Sequence, residues 1–422
     1  MKILSHVQSL TGVGHFVRGL EIARALGARH DVRLVDGGWP VPRASAPDGV
    51  TFVEIPRVYR VDGQLVALDG SPNLGEVLRA RAARLVALAR ALRPDVVVIE
   101  HFPFSKWEIE GEFRDLIDAA RAAHAGVKVV CSVRDVTRKT RFDDGPAGAP
   151  PYAERVRAAL AAFDAVLVHS DPRFLRIEEQ GALPARLSYT GFVSRKLSPG
   201  AASRRALEDA FGSRRPVLAS AGGSRRGLDL LRMVMTAWQH VAGAPALLGR
   251  QLVVFAPARA GEPDVEALRG LADGTSIRVE RFDPDFLEWL AVAELSVSRA
   301  GYNTCANLLE IGRRAVLIPD LSMSDQPVRA RRFAALGLAE VLEDPSPEAC
   351  AEGILRALAR PEPRHDLALD GAEQTRRLIE ALCEGEGSSW SGLAAARSRC
   401  ATVDVTMGTK GNRGGRDGAR DH

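Results

Sequence analysis

Between Ser298 and Phe333 the chain reads SRAGYNTCANLLEIGRRAVLIPDLSMSDQPVRARRF, a succession of strand, glycine turn, helix, buried strand, polar loop and helix. Gly301 permits the tight turn, and Asn303 and Thr304 fall where a helix N-cap is expected. A helix opening there aims unpaired backbone N–H groups and a partial positive charge at whatever lies above the sheet. The run from Ala315 to Pro319 is short, apolar and closed by proline, as a buried parallel strand should be. Asp325 and Gln326 lie on the loop that follows, again at the carboxyl end of a strand. Two polar loops at one edge of a parallel sheet make a ligand site.

The same alternation fills the chain on both sides of this block. Strands are expected over Lys2 to Gln8, Val32 to Asp36, Val50 to Ile55, Asp95 to Glu100, Val127 to Val133, Ala165 to His169 and Leu187 to Phe192. A second series runs through Val217 to Ser220, Leu252 to Phe255, Ile277 to Glu280, Leu295 to Ser298 and Ala315 to Pro319. Helical stretches separate them, which is the pattern of a parallel sheet covered on both faces. In Glu76 to Arg93, Leu78, Leu85, Leu88 and Leu92 share one face, and the five arginines read as solvated. Ser194 to Arg215 is polar, basic and rich in Gly, Ser and Pro, so it reads as a linker. The expected class is α/β, with two doubly wound Rossmann-like domains facing across a cleft. Their bounds are residues 1–194 and 216–386, joined by a linker over 195–215, with a Gly/Arg-rich disordered tail over 387–422.

Composition narrows the function. A chain of 422 residues suits two domains of ordinary size. A net charge of +4 and 5% aromatic residues give no argument for a nucleic-acid partner. The five cysteines are scattered without CxxC spacing, which fits reduced thiols and no zinc site. Met1-Lys2 leads straight into a strand, and no apolar run approaches the ~20 residues of a membrane span. The expectation is a cytosolic protein that at most rests on a membrane surface.

Four motifs carry chemistry. Gly12-Val13-Gly14-His15 follows the first strand and opens a helix expected from Phe16 to Gly27, where the glycines let backbone approach a ligand. His15 lands at that helix N-terminus, which disfavours the imidazolium and leaves a neutral ring able to accept a proton. A dinucleotide fingerprint is the rival, with Asp36 on a ribose, but Val17 stands where the third glycine belongs. Glu100-His101 and Arg134-Asp135 end two other strands. Either Glu100 or Asp135 could orient His15 as the third member of a triad; the alternative for Asp135 is a surface pair with Arg134. Gly222-Gly223-Ser224 exposes N–H groups suited to phosphate, flanked by Arg225 and Arg226. Phe282, just after a strand, is either a nucleobase neighbour or a core residue.

The order of GVGHFVRGLEIARAL, EHFPF, CSVRD, VHSDP, YTGFV, SAGGS and GYNT resembles the GT-B glycosyltransferases of family 28, which include the N-acetylglucosaminyltransferase of peptidoglycan synthesis. The likeness is nearest to a bacterial subgroup known only as predicted glycosyltransferases. It implies that Gly222, Gly223, Ser224, Gly301 and Thr304 hold the donor diphosphate and that Phe282 reads the base. It also implies that Asp325 and Gln326 hold the donor sugar, and that Gly12 and Gly14 face the acceptor. The family usually carries Glu where this chain has Asn307, and that residue binds ribose hydroxyls. A neutral partner should weaken donor binding without abolishing it, and Glu310, three residues on, could partly substitute.

The resemblance implies an inverting, metal-independent transferase with no cofactor. It would move a sugar from a nucleoside diphosphate, uridine-based, to an unidentified small-molecule, lipid or glycan acceptor. His15 is the expected base, with Asp135 or Glu100 as its orienter. The rivals are a nucleotide-sugar hydrolase or epimerase of the same fold, and a non-catalytic sugar-nucleotide binder. Acceptor identity and oligomeric state are not legible.

Overall fold

The computed structural model describes residues 1–41, 44–61, 63–137, 148–177, 186–197, 202–222 and 227–385. In the first half the strands are β1 (Lys2–Val7), β2 (Asp31–Asp36), β3 (Val50–Glu54), β4 (Val58–Val61), β5 (Gln64–Ala67), β6 (Val96–Glu100), β7 (Lys128–Val133), β8 (Ala165–Val168) and β9 (Leu187–Tyr189). Seven of them form a parallel sheet in the order β3-β2-β1-β6-β7-β8-β9, while β4 and β5 pair as a separate antiparallel hairpin. The helices between them are α1 (Gly14–Gly27), α2 (Leu74–Leu92), α3 (Glu110–Ala123) and α4 (Tyr152–Leu160).

Successive side chains on a strand point to opposite faces, so a strand covered on both faces is apolar throughout. In β6, Val97 and Ile99 join Leu85, Phe113 and Leu116 beneath α2 and α3. Val96 and Val98 face the other way, onto Ile22 of α1.

The second half begins with α5 (Ala202–Phe211), β10 (Arg215–Ser220), α6 (Leu228–His240), β11 (Arg250–Phe255), α7 (Glu262–Arg269), β12 (Ile277–Glu280) and α8 (Phe286–Val292). It continues with β13 (Leu295–Ser298), α9 (Tyr302–Ile311), β14 (Arg314–Leu317), α10 (Gln326–Ala335), β15 (Glu340–Val341), α11 (Pro347–Ala359) and α12 (Gly371–Glu384). Its six-stranded parallel sheet has the order β12-β11-β10-β13-β14-β15. In each sheet the chain runs outward one way from a central strand, then returns to run the other way. The reversals fall between β1 and β6 and between β10 and β13. Open α/β sheets bind ligands above such points, at the carboxyl ends of the strands.

Five expectations need correction. The stretch read as a linker contains α5, because Leu207 and Phe211 lie one helical turn apart and pack on the second-half core. The bounds drawn for the second domain include α12, yet Leu378, Ile379 and Leu382 of that helix pack with Ile22 and Leu26 of α1. Arg81 of α2 is not solvated: it is fully buried and binds Glu112 of α3 through Nε at 2.7 Å and Nη2 at 2.8 Å. Helix α1 opens at Gly14 rather than Phe16. The N-cap of α9 is Gly301 in extended backbone, with φ −68° and ψ 149°, so Asn303 and Thr304 already lie inside the helix. The tail from 387 on and most of the loop after Thr137 lie outside the described residues. No described helix is long and apolar enough to cross a membrane.

Candidate active site

His15 stands in the first turn of α1, directly above the first reversal point, and Glu100 ends β6 on its other side. The two meet with His15 Nδ1 2.6 Å from Glu100 Oε1. Glu100 is buried and also takes Arg18, one helical turn beyond His15, and Lys106, which it binds through both its side chain and its backbone oxygen. Burial alone would raise the Glu100 pKa; His15, Lys106 and Arg18 outweigh it and hold the carboxyl well below its usual range. An ionised carboxylate only accepts hydrogen bonds, so the proton of this pair sits on His15 Nδ1 and Nε2 keeps its lone pair.

The ring is neutral. Burial pushes the His15 pKa down to about 3 although Glu100 pulls it up, with Arg134 and Lys106 adding to the downward push. Its side chain still shows 17% of its surface. His101 packs edge-on against it, centroids 5.2 Å apart, with its backbone at φ +67°, a conformation rare for a non-glycine residue. His15, Glu100 and His101 offer three metal-ligating atoms within 4.8 Å of one another. Arg18 and Lys106 already occupy that carboxylate, and a further cation would add to the positive charge around it.

Asp135 does not orient His15, nor does it pair with Arg134 at the surface. It is fully buried, and its two oxygens accept from Nε and Nη2 of Arg329 in α10, each at 2.7 Å. Arg134 turns the other way, donating Nε to His101 Nε2 at 3.0 Å and approaching Asp325 at 3.4 Å. Arg329 completes the chain with a 3.0 Å bond to Asp325 and a 2.6 Å bond to the Ala300 carbonyl. Burial opposes ionisation of Asp325, but Arg329 and Arg134 hold its pKa down to about 2.

The second reversal point faces the first. Gly222 follows β10 at φ +77°, with open space where a Cβ would stand; Gly223 and Ser224 lie outside the described residues. Gly301 caps α9, which crosses to the first half twice. The Asn303 side-chain NH2 donates to the Gly14 carbonyl at 2.9 Å. The Tyr302 hydroxyl donates to the His169 carbonyl at 2.8 Å and accepts from Val193 N–H at 2.9 Å. Gly12 is half-buried in the loop before α1, and Thr304 and Asn307 are half-buried on α9. Glu310 is committed elsewhere, accepting from Ser194 Oγ at 2.8 Å and Lys196 Nζ at 2.6 Å in the crossing chain. That removes it as a stand-in for the missing glutamate at Asn307. Gln326 Oε1 accepts from the Asp320 N–H at 3.0 Å, leaving its NH2 group for a ligand. Phe282 follows β12, half-buried.

The sequence reading did not single out Arg18, Lys106, Arg134, Arg329 or Tyr302 as site residues. Arg18 had a signal, since it lies three residues after His15 on one helix face. Arg329 had another, four residues after Asp325. Lys106 follows a turn whose path nothing in the sequence announces.

Two Rossmann-like domains with facing reversal points define the GT-B class of glycosyltransferase folds. The solved spinosyn forosaminyltransferase SpnP has this fold, with TM-score 0.55 and 17% identity over 95% of this chain and 99% of its own. Glycosyltransferase VinC, solved in complex with dTDP, gives TM-score 0.55 and 18% identity over the same shares. Residues 221–375 match the glycosyltransferase family 28 C-terminal domain. A UDP-N-acetylglucosamine–N-acetylmuramyl-(pentapeptide) pyrophosphoryl-undecaprenol N-acetylglucosamine transferase of Methylobacterium nodulans is 31% identical over 196 residues, 45% of this chain and 47% of that protein. The enzyme of the same name from a Synechococcus strain is 30% identical over 173 residues, 40% of this chain and 46% of its own. The chain spans about half the length of the curated relatives it matches.

Proposed function

We propose that the protein is an inverting glycosyltransferase that moves a sugar from a nucleoside diphosphate to an acceptor hydroxyl, with His15 as general base and Glu100 as its orienter. The observation that carries this is the 2.6 Å His15–Glu100 pair above one reversal point, facing α9 above the other. The acceptor hydroxyl gives its proton to His15 Nε2 as its oxygen bonds to the anomeric carbon. On the opposite face, the bond from that carbon to the diphosphate oxygen breaks, and its electron pair leaves with the nucleoside diphosphate. Glu100 stabilises the imidazolium so formed.

On the donor side, Gly222, Gly223, Ser224, Gly301 and Thr304 take the diphosphate through backbone N–H and hydroxyl groups, helped by the α9 N-terminus. Phe282 lies at the base, Asn307 at the ribose, and Asp325 with Gln326 at the sugar. The curated relatives are named for a UDP donor and VinC was solved with dTDP, so both nucleotides belong in the test. The relatives' names also carry a lipid-linked acceptor. An acceptor of that kind would bring this chain to a membrane surface.

A thermal-shift panel of UDP- and dTDP-sugars, followed by product analysis, tests the reading, because a bound ligand raises stability by mass action. A transferred sugar with inverted anomeric configuration is the expected product once an acceptor is supplied. Free sugar without any acceptor would make the protein a hydrolase, and an isomerised donor an epimerase. Binding with no turnover under any acceptor would leave a sugar-nucleotide sensor.

A further inference from the structure

Among the described residues, the ion pairs that join Glu100, Asp135 and Asp325 do not cancel. Arg18 and Lys106 are both taken by Glu100. Arg329 is held by Asp135 through two bonds of 2.7 Å and by Asp325 at 3.0 Å. Among the described residues, the ion pair left to Arg134 is a 3.4 Å approach to that same Asp325. Among the described residues of this network, with His15 and His101 neutral, four cations face three carboxylates, and the surplus charge falls on Arg134. Arg134 is also the cation of this group that solvent reaches. Its side chain is 21% exposed, against 1% for Arg18, 4% for Lys106 and 0% for Arg329.

The orientation of the guanidinium is fixed. Its Nε donates to His101 Nε2 at 3.0 Å, which turns the Nη edge toward Asp325 and the second half. A planar guanidinium offering its Nη edge is suited to phosphate oxygens, more so than a lysine point charge.

We propose that Arg134 binds an oxyanion across the cleft, namely the β-phosphate of the nucleoside diphosphate. The inference rests on the glycosyltransferase reading and adds to it a contact from the half of the chain opposite the donor loops. When the anomeric C–O bond breaks, the electron pair left on the diphosphate oxygen adds negative charge there, and Arg134 meets that charge without giving up a proton. Asp325 sets the timing. While it faces Arg134, the guanidinium is partly neutralised; once Asp325 accepts hydrogen bonds from donor sugar hydroxyls, the 3.4 Å pair loosens and the Nη edge is left to phosphate.

Calorimetry on the full chain and on Arg134→Gln and Arg134→Lys tests this, with UDP, dTDP and UMP as ligands. The Gln variant should bind the favoured diphosphate roughly tenfold more weakly or worse, because a charge-assisted bond is lost. UMP, which lacks the β-phosphate, should change less than about twofold. The Lys variant, which keeps charge and loses the fork, should fall between. Unchanged diphosphate affinity in Arg134→Gln would overturn the assignment and send the charge to a phosphate on the acceptor. Equal losses for UMP and UDP would overturn it too, by showing general damage to the site. Failure of the unaltered chain to bind either diphosphate would sink the donor reading itself, and this assignment with it.

Discussion

Arg329 and Asp135 are both fully buried and hold each other through two hydrogen bonds of 2.7 Å, although they stand 194 residues apart in opposite halves of the chain. This pair fastens α10 to the loop after β7. It also fixes Arg329 for its bond to Asp325, so the interface and the proposed donor-sugar position share one guanidinium.

Asp135→Asn should therefore weaken the whole molecule. Removing one partner of a buried ion pair costs about 3–5 kcal/mol, because the other charge stays buried with less to balance it. Part of that loss should appear as loosening between the halves. The expected result is a lower melting temperature together with faster limited proteolysis. An unchanged melting temperature would show that Asp325 and the Ala300 carbonyl suffice for Arg329.

His15→Ala should lower turnover by ~10²–10⁴ while leaving donor affinity nearly intact, as loss of a general base does. The pH profile adds a second check. With its pKa at about 3, His15 stays in the base form throughout the neutral and mildly acidic range. Turnover should show no acid limb from His15 between about pH 8 and 5, where an ordinary histidine would show one. An acid limb centred near the ordinary histidine value would mean that the ring is protonated in the working enzyme.

Stability should respond to acid even where turnover does not. His169 is buried, lies 2.7 Å from Ser132 Oγ and 2.9 Å from Thr190 Oγ1, and has its pKa lowered to about 3 by burial, as His15 does. The unfolded chain binds these protons near 6.5 and the folded chain only near 3. Stability is then complete above the unfolded value and falls as pH drops through that window. Each group contributes a slope of up to about 1.4 kcal/mol per pH unit. Denaturant unfolding at several pH values should give a shallower slope in His169→Gln than in the unaltered chain. Equal slopes would locate the acid sensitivity in other groups.

How much of this was legible depends on whether the signal was local. The strands and the doubly wound class follow from apolar runs such as Val96 to Ile99, whose alternate residues serve two cores. Asp62-Gly63 between two apolar stretches was a readable hairpin signal, and the reading passed over it. The His15–Glu100 pair was half-legible: each residue ends a β-strand or opens a helix, but the strand order that makes β1 and β6 neighbours is a tertiary result. Asp135 shows the limit. Nothing near it in sequence tells that its partner is Arg329 rather than Arg134 or His15. Arg81 looked like one more solvated arginine because its acid, Glu112, lies on another helix.

Asn307→Glu should tighten nucleoside diphosphate binding by about 1 kcal/mol, hence roughly fivefold, as a charged acceptor replaces a neutral one at the ribose. Glu310→Ala should leave that affinity unchanged, since Glu310 serves Ser194 and Lys196 in the crossing chain. Its expected effect is a lower melting temperature. Calorimetry with UDP and dTDP on both variants distinguishes the cases. A large affinity loss in Glu310→Ala would mean that the side chain leaves the crossing chain for the ribose, and unchanged binding in both would place the ribose elsewhere.

Asp325→Asn should move two affinities in opposite directions. In the free protein this carboxylate, ionised at neutral pH with its pKa near 2, draws on both Arg329 and Arg134. Replacing it with the isosteric amide frees Arg134 and removes a negative charge from beside the incoming phosphates, so UDP alone should bind more tightly. The nucleotide sugar loses a charged acceptor for its hydroxyls, a difference of about 1 kcal/mol per bond, so its advantage over bare UDP should shrink roughly fivefold. Calorimetry with UDP and UDP-N-acetylglucosamine, or with the dTDP pair if the protein prefers it, reads both numbers from one variant. If both ligands weaken together, Asp325 serves mainly to brace Arg329. If neither changes, the carboxylate does not face the donor, and the sugar must be sought on the Gln326 side of the loop.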